Sequence, residues 1–470
     1  MATQWQTFPI EFRGGLISNL SELQQGTNAV GSATVLQNFE VSKEGGYTKI
    51  RGFSKYSTTE VPGTGPILAL KVISSGRIIA ARKVNAAAVT AYSSDLVSGD
   101  INKTAYYYST GTTWNFIAKS ASTNGNKARH VLYNLDGDDK VIFVDGTNYP
   151  MIYNTSGNTG TFLTASDSTD VSEAEHIAIF KNTAFYSQGN DLFFSAPFTV
   201  DDFTAANGAG SINVANNITG LAVFRDQLII FTQDSVKRLT GSSSADFTIS
   251  PITDRIGCIN GDTIQEIGGD IIYLAPDGIR LLSATDRIGD FALDIPSDRI
   301  AKDANKFLSS TSNFSSFVIR EKNQYRIFAY VSSEQTGAAK GLIATKFISQ
   351  GAEGLQWSTT KGIKANVADS RYSGTTETIA FANEDGFVYE LDTGSSFGGA
   401  NIEAIYESPY MPLTDPQIRK TFYKFTLYAE PESTMSLDVN LKYDNKTSSD
   451  TTTIQPPTIT VGSSGDAIFL

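Results

Sequence analysis

The sequence predicts an all-β protein, and more specifically a β-propeller. Three observations carry this. Short apolar strands recur at intervals of about ten residues, the spacing expected of all-β chains. Turn residues, with Gly foremost, punctuate them, while charged residues make up only 18% of the chain against the usual quarter. The unit spanning 254–289 repeats strand–turn–strand and carries the tetrapeptide DRIG at both ends, Asp254–Gly257 and Asp286–Gly289. A sheet unit that recurs along a chain belongs to a radial or stacked β-architecture. Six to eight blades are expected, with an additional antiparallel platform built from the chain ends.

Taken in order, the N-terminal segment (residues 1–62) is a platform or closing segment. Its Glu44-Gly45-Gly46 reads as a hairpin turn between NFEVS and YTKIRGF. Residues 20–27 offer at most one or two helical turns, ended by Gly26.

Residues 63–399 are the expected propeller. Pro66–Ser74 and Gly76–Lys83 form a hairpin, as do Ala105–Thr110 and Thr113–Lys119 across Gly111-Thr112. Residues 128–154 and 174–197 each hold three strands, and 221–241 repeats the pattern. The stretch 198–214 reads as a loop into the next blade. Ile271–Ala275 and Ile279–Ser283 pair across Pro276-Asp277-Gly278: Pro presets φ, Asp bonds to its own backbone and Gly accepts a positive φ. Further strands are expected in 312–332, 341–349, 355–360 and 377–394. The best helical stretch is Asp298–Ser309, with Ile300, Ala304 and Phe307 on one face. Residues 400–470 show a two-residue apolar period (Phe422, Lys424, Thr426, Tyr428; Leu437, Val439, Leu441, Tyr443) and read as a separate antiparallel sheet domain.

The chemistry offered is sparse. The net charge of -12 argues against gripping nucleic acid by neutralising phosphates. The single cysteine, Cys258, excludes an intrachain disulfide and a multi-cysteine metal site. His130 and His176 sit in apolar strand contexts and read as structural. The carboxylates at Asp136, Asp138, Asp139, Asp201 and Asp202 read as turn-forming, solvated acids rather than a hydrolase pair or a calcium loop. No nucleophile elbow and no phosphate loop is present. Neither enzymatic activity nor a cofactor is expected. The opening residues lack the apolar run of a signal peptide, and no run approaches a membrane span, so synthesis in a cytoplasm is expected.

Other residues are candidates for contacts. Arg255 and Arg287, each beside Asp254 or Asp286, are candidate blade clips or, alternatively, contacts across subunits. Arg419, Lys420 and Lys424 form a small basic cluster, either a partner contact or the solvated side of the sheet. Tyr106-Tyr107-Tyr108 reads as an aromatic run on a loop or edge strand that suits an interface, with core packing as the competing reading.

Several pieces together resemble a known family. FRGGLIS…NFEVSKEGGYTKIRGF resembles the start of the tail nozzle proteins (tail tubular protein B) of short-tailed bacteriophages, and SAPFTVDDF resembles their blade-to-blade joint. DRIGCINGDTIQEIGGDIIYLAPDGIRLLSA resembles their most recognisable blade, and PQIRKTFYKFTLYAE a sheet module of tail-tube and nozzle proteins. The resemblance implies a structural subunit of the virion tail, homohexameric, below an adaptor ring and beside tail fibres or receptor-binding proteins. Its acidic, non-adhesive channel would retain the genomic DNA and then conduct it during ejection. A reading from a different class is a propeller binding module for a host-surface glycan or another tail protein, using aromatic and Asn/Asp-rich loops.

Overall fold

The computed structural model describes residues 7–21, 24, 31–42, 45–73, 76–123, 125–283, 295–349, 352–413, 421, 424–428, 435–441, 459–461 and 467–469. The chain is all-β, with a seven-bladed propeller core and extra antiparallel sheets formed partly from the chain ends.

Each blade is an antiparallel meander. Blade 1 runs Thr64–Val72, Ile78–Lys83, Thr104–Ser109 and Trp114–Lys119. Blade 2 spans Arg129–Tyr133 to Thr159–Phe162, blade 3 His176–Phe180 to Gly210–Asn213, and blade 4 Ile218–Phe224 to Thr248–Thr253. Blade 5 shows Gln265–Ile267, Asp270–Ala275 and Gly278–Leu281 among the described residues. Blade 6 runs from Phe314–Ile319 to Ala352–Lys361. Blade 7 consists of Val367–Ser373, Thr376–Ala382 and Val388–Leu391 with a fourth strand, Phe53–Lys55, taken from the N-terminal segment.

Residues from both ends also extend two blades. Val35–Gln37 pairs antiparallel with Ile405–Glu407 and touches blade 6 in parallel at Thr359. Ser396–Phe397 and Ala400–Asn401 form a hairpin beside Phe53 in blade 7. Phe39–Val41 and Tyr47–Lys49 pair antiparallel on either side of the expected hairpin turn, of which Gly45 and Gly46 are described and Glu44 lies outside the described residues.

Alternation along the strands sends side chains to both sheet faces, so each face packs on a neighbouring blade. The described core accordingly divides into clusters between successive blades. Tyr106, Ile117, Phe143 and Met151 lie between blades 1 and 2. Ile67, Leu70 and Tyr107 of blade 1 meet Val367, Ala380 and Val388 of blade 7, which closes the ring. Backbone bonds reinforce that closure, Ile67 N donating to Asn383 O at 3.0 Å and Val61 N to Gly386 O at 2.8 Å.

Two helices are short. α1 (Ala86–Ala91) is capped by Asn85, whose side chain accepts from Ala88 N at 2.8 Å. α2 (Ala301–Leu308) follows a 3₁₀ turn at Asp298–Ile300 and buries Ile300, Ala304 and Phe307 between blades 5 and 6, the face its spacing predicts.

Two local expectations change. Residues 198–214 are more than a connecting loop, because Gly210–Asn213 forms the outer strand of blade 3. Tyr106 and Tyr107 are buried on an inner-sheet strand paired on both sides, so the tyrosine run is largely core rather than an exposed edge.

The chain forms two compact units. One comprises Glu11–Leu20 and Gly31–Ser408 and contains the propeller. The other gathers Met1–Ile10, Ser21–Val30 and Pro409–Leu470. Within it Thr426–Tyr428 pairs with Ala467–Phe469, and Met435–Leu437 with Ile459–Val461. No helix among the described residues is long and apolar enough to cross a membrane.

Candidate ligand cleft

Blade 7 carries a cleft of about 380 Å³, within the range of about 300–1,000 Å³ typical of small-ligand sites. Its floor is aromatic, made by Phe53, Phe381, Tyr389 and Phe397. Its rim is polar, made by Ser54, Lys55, Thr336, Asn383, Asp385 and Ser396.

The floor is assembled by the closing strand. Phe53 stacks on Phe397, with centroids 5.1 Å apart and planes at 14°. It meets Phe381 and Tyr389 edge-on, each with a centroid separation of 5.1 Å. Phe381 and Tyr389 stack at 5.2 Å. Two glycines make room for this arrangement. A Cβ on Gly52 would lie 2.0 Å from Ser396 O, and a Cβ on Gly362, whose φ is +103°, would lie 3.0 Å from the Phe397 ring. Phe53, Phe381 and Tyr389 are buried and Phe397 is half-buried, so Phe397 is the ring with the most surface left to a ligand.

The rim is ordered by a turn. Asp385 N donates to Asn383 Oδ1, and Asp385 Oδ1 accepts from Phe387 N, both at 2.9 Å. The Tyr389 hydroxyl donates to Asp385 Oδ2 at 2.6 Å. Burial, helped by that hydrogen bond and by the Asp385 and Glu60 carboxylates, holds Tyr389 well above the usual phenol range, so it remains a donor. The Lys55 ammonium lies 3.2 Å from the centroid of Phe387, a cation–π contact beside the cleft. An aromatic floor with hydroxyl, amide, carboxylate and ammonium groups above it stacks on apolar ring faces and hydrogen-bonds polar substituents.

The propeller axis is built differently. Arg129 of blade 2 crosses it to Asp262, at the entry to blade 5, with Nε–Oδ1 at 2.7 Å and Nη2–Oδ2 at 3.3 Å. Lys127 reaches the same carboxylate at 3.2 Å and donates to Phe314 O of blade 6 at 2.6 Å. Lys71 of blade 1 pairs with Asp369 of blade 7 at 3.1 Å, and His130 Nε2 lies 3.9 Å from Asp369. Burial alone would raise the Asp262 carboxyl, but Lys127 and Arg129 outweigh it and hold it well below the usual range. Burial, with the Lys71 charge, lowers His130 to about 4, and burial, with the Arg129 charge, lowers His176 well below its usual value. Both histidines are therefore neutral near pH 7. Every nitrogen of Arg129 and the Lys127 ammonium already has a protein acceptor, Arg129 Nη1 donating to Glu175 O at 3.2 Å. The axis is thus a filled polar plug rather than an open site.

The residues singled out from sequence are placed as follows. Asp254 and Arg255 lie exposed just after the outer strand of blade 4, and Arg255 N donates to Thr253 Oγ1 at 3.4 Å. Asp286, Arg287, Arg419 and Lys420 lie outside the described residues. Lys424 is exposed immediately before Thr426–Tyr428. Cys258 is buried and its thiol is pushed up to about 12 by burial. Among the described residues no group of three or more His, Cys, Asp or Glu is placed to hold a metal ion. None of the cleft residues was singled out from sequence. The available signal was the aromatic spacing around the turn Asn383-Glu384-Asp385-Gly386, with Phe381, Phe387 and Tyr389 flanking it.

No family model matches the chain, and no curated protein matches it. Among solved structures, it is similar to the extracellular domain of a proposed hybrid two-component system from B. thetaiotaomicron. Identity is 9% and the TM-score 0.42, over 72% of this chain and 39% of that one. A second structure of this kind, described as the domain of a one-component system, gives 9% identity and a TM-score of 0.42, over 72% and 40%. The chain therefore spans about two fifths of the length of those structures, and nothing about their ligands is carried over.

The tail-nozzle expectation is corrected on this finding: these similar structures are extracellular domains of proposed two-component and one-component systems, not phage tail proteins. The virion, tail and genome-channel terms fall with it.

Proposed function

We propose that the chain is a ligand-binding propeller that takes a glycan in the blade 7 cleft and carries out no chemistry there. The supporting observation is the aromatic floor beneath a polar rim, with Phe397 half-buried and Asp385 exposed at its edge. A sugar ring presents apolar C–H faces and a girdle of hydroxyls. The first match a phenyl ring and the second match Asp, Asn, Ser and Thr side chains.

The test is a glycan array on the full chain, followed by calorimetry with each hit. Binding that Phe397→Ala and Asp385→Asn weaken supports the reading. An absence of hits, or hits indifferent to both substitutions, would sink it. Release of cleaved sugar from a bound glycan would overturn the non-enzymatic part alone.

A further inference from the structure

Apart from the cleft, one face of blade 6 buries a cluster of polar side chains. Arg326, on the second strand, is fully buried at 0% exposure. Its Nη2 donates to Glu40 Oε2 at 2.8 Å and to Gln324 Oε1 at 3.0 Å, and its Nε donates to Gln324 Oε1 at 3.3 Å. Its Nη1 has no partner in the protein. Two more buried polar atoms of the same sheet share that condition, Thr345 Oγ1 and Ser358 Oγ.

Register places all three on one face. Arg326 is paired with Ile343, and Ile343 with Ser358, so the three form one row across adjacent strands. Thr345 lies two residues along from Ile343 and therefore points to the same side. The long arginine side chain leans across this row, because its Nη2 reaches Glu40 on the N-terminal strand Phe39–Val41. Its remaining nitrogen belongs to the same sheet face as the two hydroxyls, with Ile343 between Arg326 and Ser358 in the row.

The nearby carboxylates are already engaged. Glu40 accepts from Arg326 and from Lys322, the latter at 2.8 Å, and Asp392 accepts from Lys322 at 2.9 Å. What remains is one cationic N–H and two hydroxyls, each able to donate, with no carboxylate among the unpartnered side-chain atoms of this sheet. Leaving a guanidinium N–H unmade in a dry interior is costly, and converging donors select for a negative occupant.

We propose that this cluster encloses a chamber that binds a small inorganic anion of halide size, held by Arg326 Nη1, Thr345 Oγ1 and Ser358 Oγ. The anion completes the coordination of Arg326 and so fastens the Glu40 strand to blade 6.

The probe is sodium bromide. Crystals of the full chain soaked in it should show an anomalous bromine peak beside Arg326 Nη1. In solution, the Tm should rise saturably with chloride or bromide but not with gluconate at equal ionic strength. The double variant Thr345→Val, Ser358→Ala should lose the saturable rise. Density in the chamber without an anomalous signal would mean water and would overturn the proposal, as would equal Tm responses to chloride and gluconate. If the double variant fails to fold, the bromide experiment on the unaltered chain still decides.

Discussion

Arg129 and Asp262 meet across the propeller axis, two blade positions that share no sheet, through a paired contact with Nε–Oδ1 at 2.7 Å and Nη2–Oδ2 at 3.3 Å. With Lys127 at 3.2 Å from the same carboxylate, this joins blade 2 to the entry of blade 5 through the middle of the ring. The contact is partly buried, with Arg129 the more exposed partner, and is flanked by Ser316, whose hydroxyl donates to Asp262 O at 2.7 Å.

Replacing Asp262 by Ala leaves two cations in the axis without their counter-charge. Breaking one side of a buried ion pair costs about 3–5 kcal/mol, and the partial exposure of Arg129 places this case near the lower end. Urea titration of Asp262→Ala should show a shifted midpoint with a nearly unchanged slope. A midpoint equal to that of the parent chain would remove the axis from the list of stabilising features.

Stability should fall as the medium is acidified through the histidine range. In the unfolded chain His130 takes up a proton below about pH 6.5, whereas the folded chain holds it neutral down to about 4. The unfolded state therefore binds more protons between those values, and stability present above pH 6.5 is lost as the pH falls toward 4. This one group contributes a loss of about 3 kcal/mol at 1.36 kcal/mol per pH unit. His176, shifted in the same direction, adds to it. Thermal melts from pH 7 to 4 should show this slope, and His130→Gln should flatten it. An unaltered slope in that variant would assign the acid sensitivity elsewhere.

Gly52→Ala should disturb the closure of blade 7. The new Cβ would meet Ser396 O at 2.0 Å, and its three nearest neighbours are all backbone atoms of Ser396, which cannot swing aside as a side chain would. Phe53 would then shift out of register with Tyr389 and Phe397. A loss of about 2–4 kcal/mol is expected, as for strain and overpacking at constrained sites. Calorimetry of the purified variant would check it; a Tm within a degree of the parent would show that the closing strand tolerates the displacement.

Within the cleft, stability and binding should separate. Phe397→Ala removes a half-buried ring and should weaken ligand binding about tenfold or more, roughly 1.4 kcal/mol or more. Asp385→Asn retains the shape of the turn and the bonds its oxygen accepts from Phe387 N, yet removes the charge from the rim. It should change affinity and cost about 1–2 kcal/mol of stability, because the amide that replaces Oδ2 no longer accepts from the Tyr389 hydroxyl. Isothermal calorimetry beside a melt on each variant distinguishes loss of the site from loss of the fold.

Much of the blade structure was legible because it is local. The hairpin around Pro276-Asp277-Gly278 is readable from its turn residues and is observed as Asp270–Ala275 paired with Gly278–Leu281. The buried face of α2 follows from Ile300, Ala304 and Phe307 alone. Where the reading failed, the apolar signal was weak. Gly210–Asn213 is an outer strand with an almost fully exposed pattern, so its Gly and Ser residues resemble a loop. Tyr106 and Tyr107 look surface-suited by residue type, but pairing on both edges of their strand buries them.

The sequence by itself determined the all-β class, the order of most hairpins and the short helix, because turn chemistry and two-residue periodicity act over a few neighbouring residues. The tertiary structure alone decided that there are seven blades and that Phe53 closes the last of them. It also decided that Phe53 and Phe397 stack, that Arg129 faces Asp262, and that Arg326 is left with an unmatched nitrogen. These relationships join residues remote in the chain. They arise only when loop closure around the whole ring is repaid by burial between blades, a balance that no local pattern records.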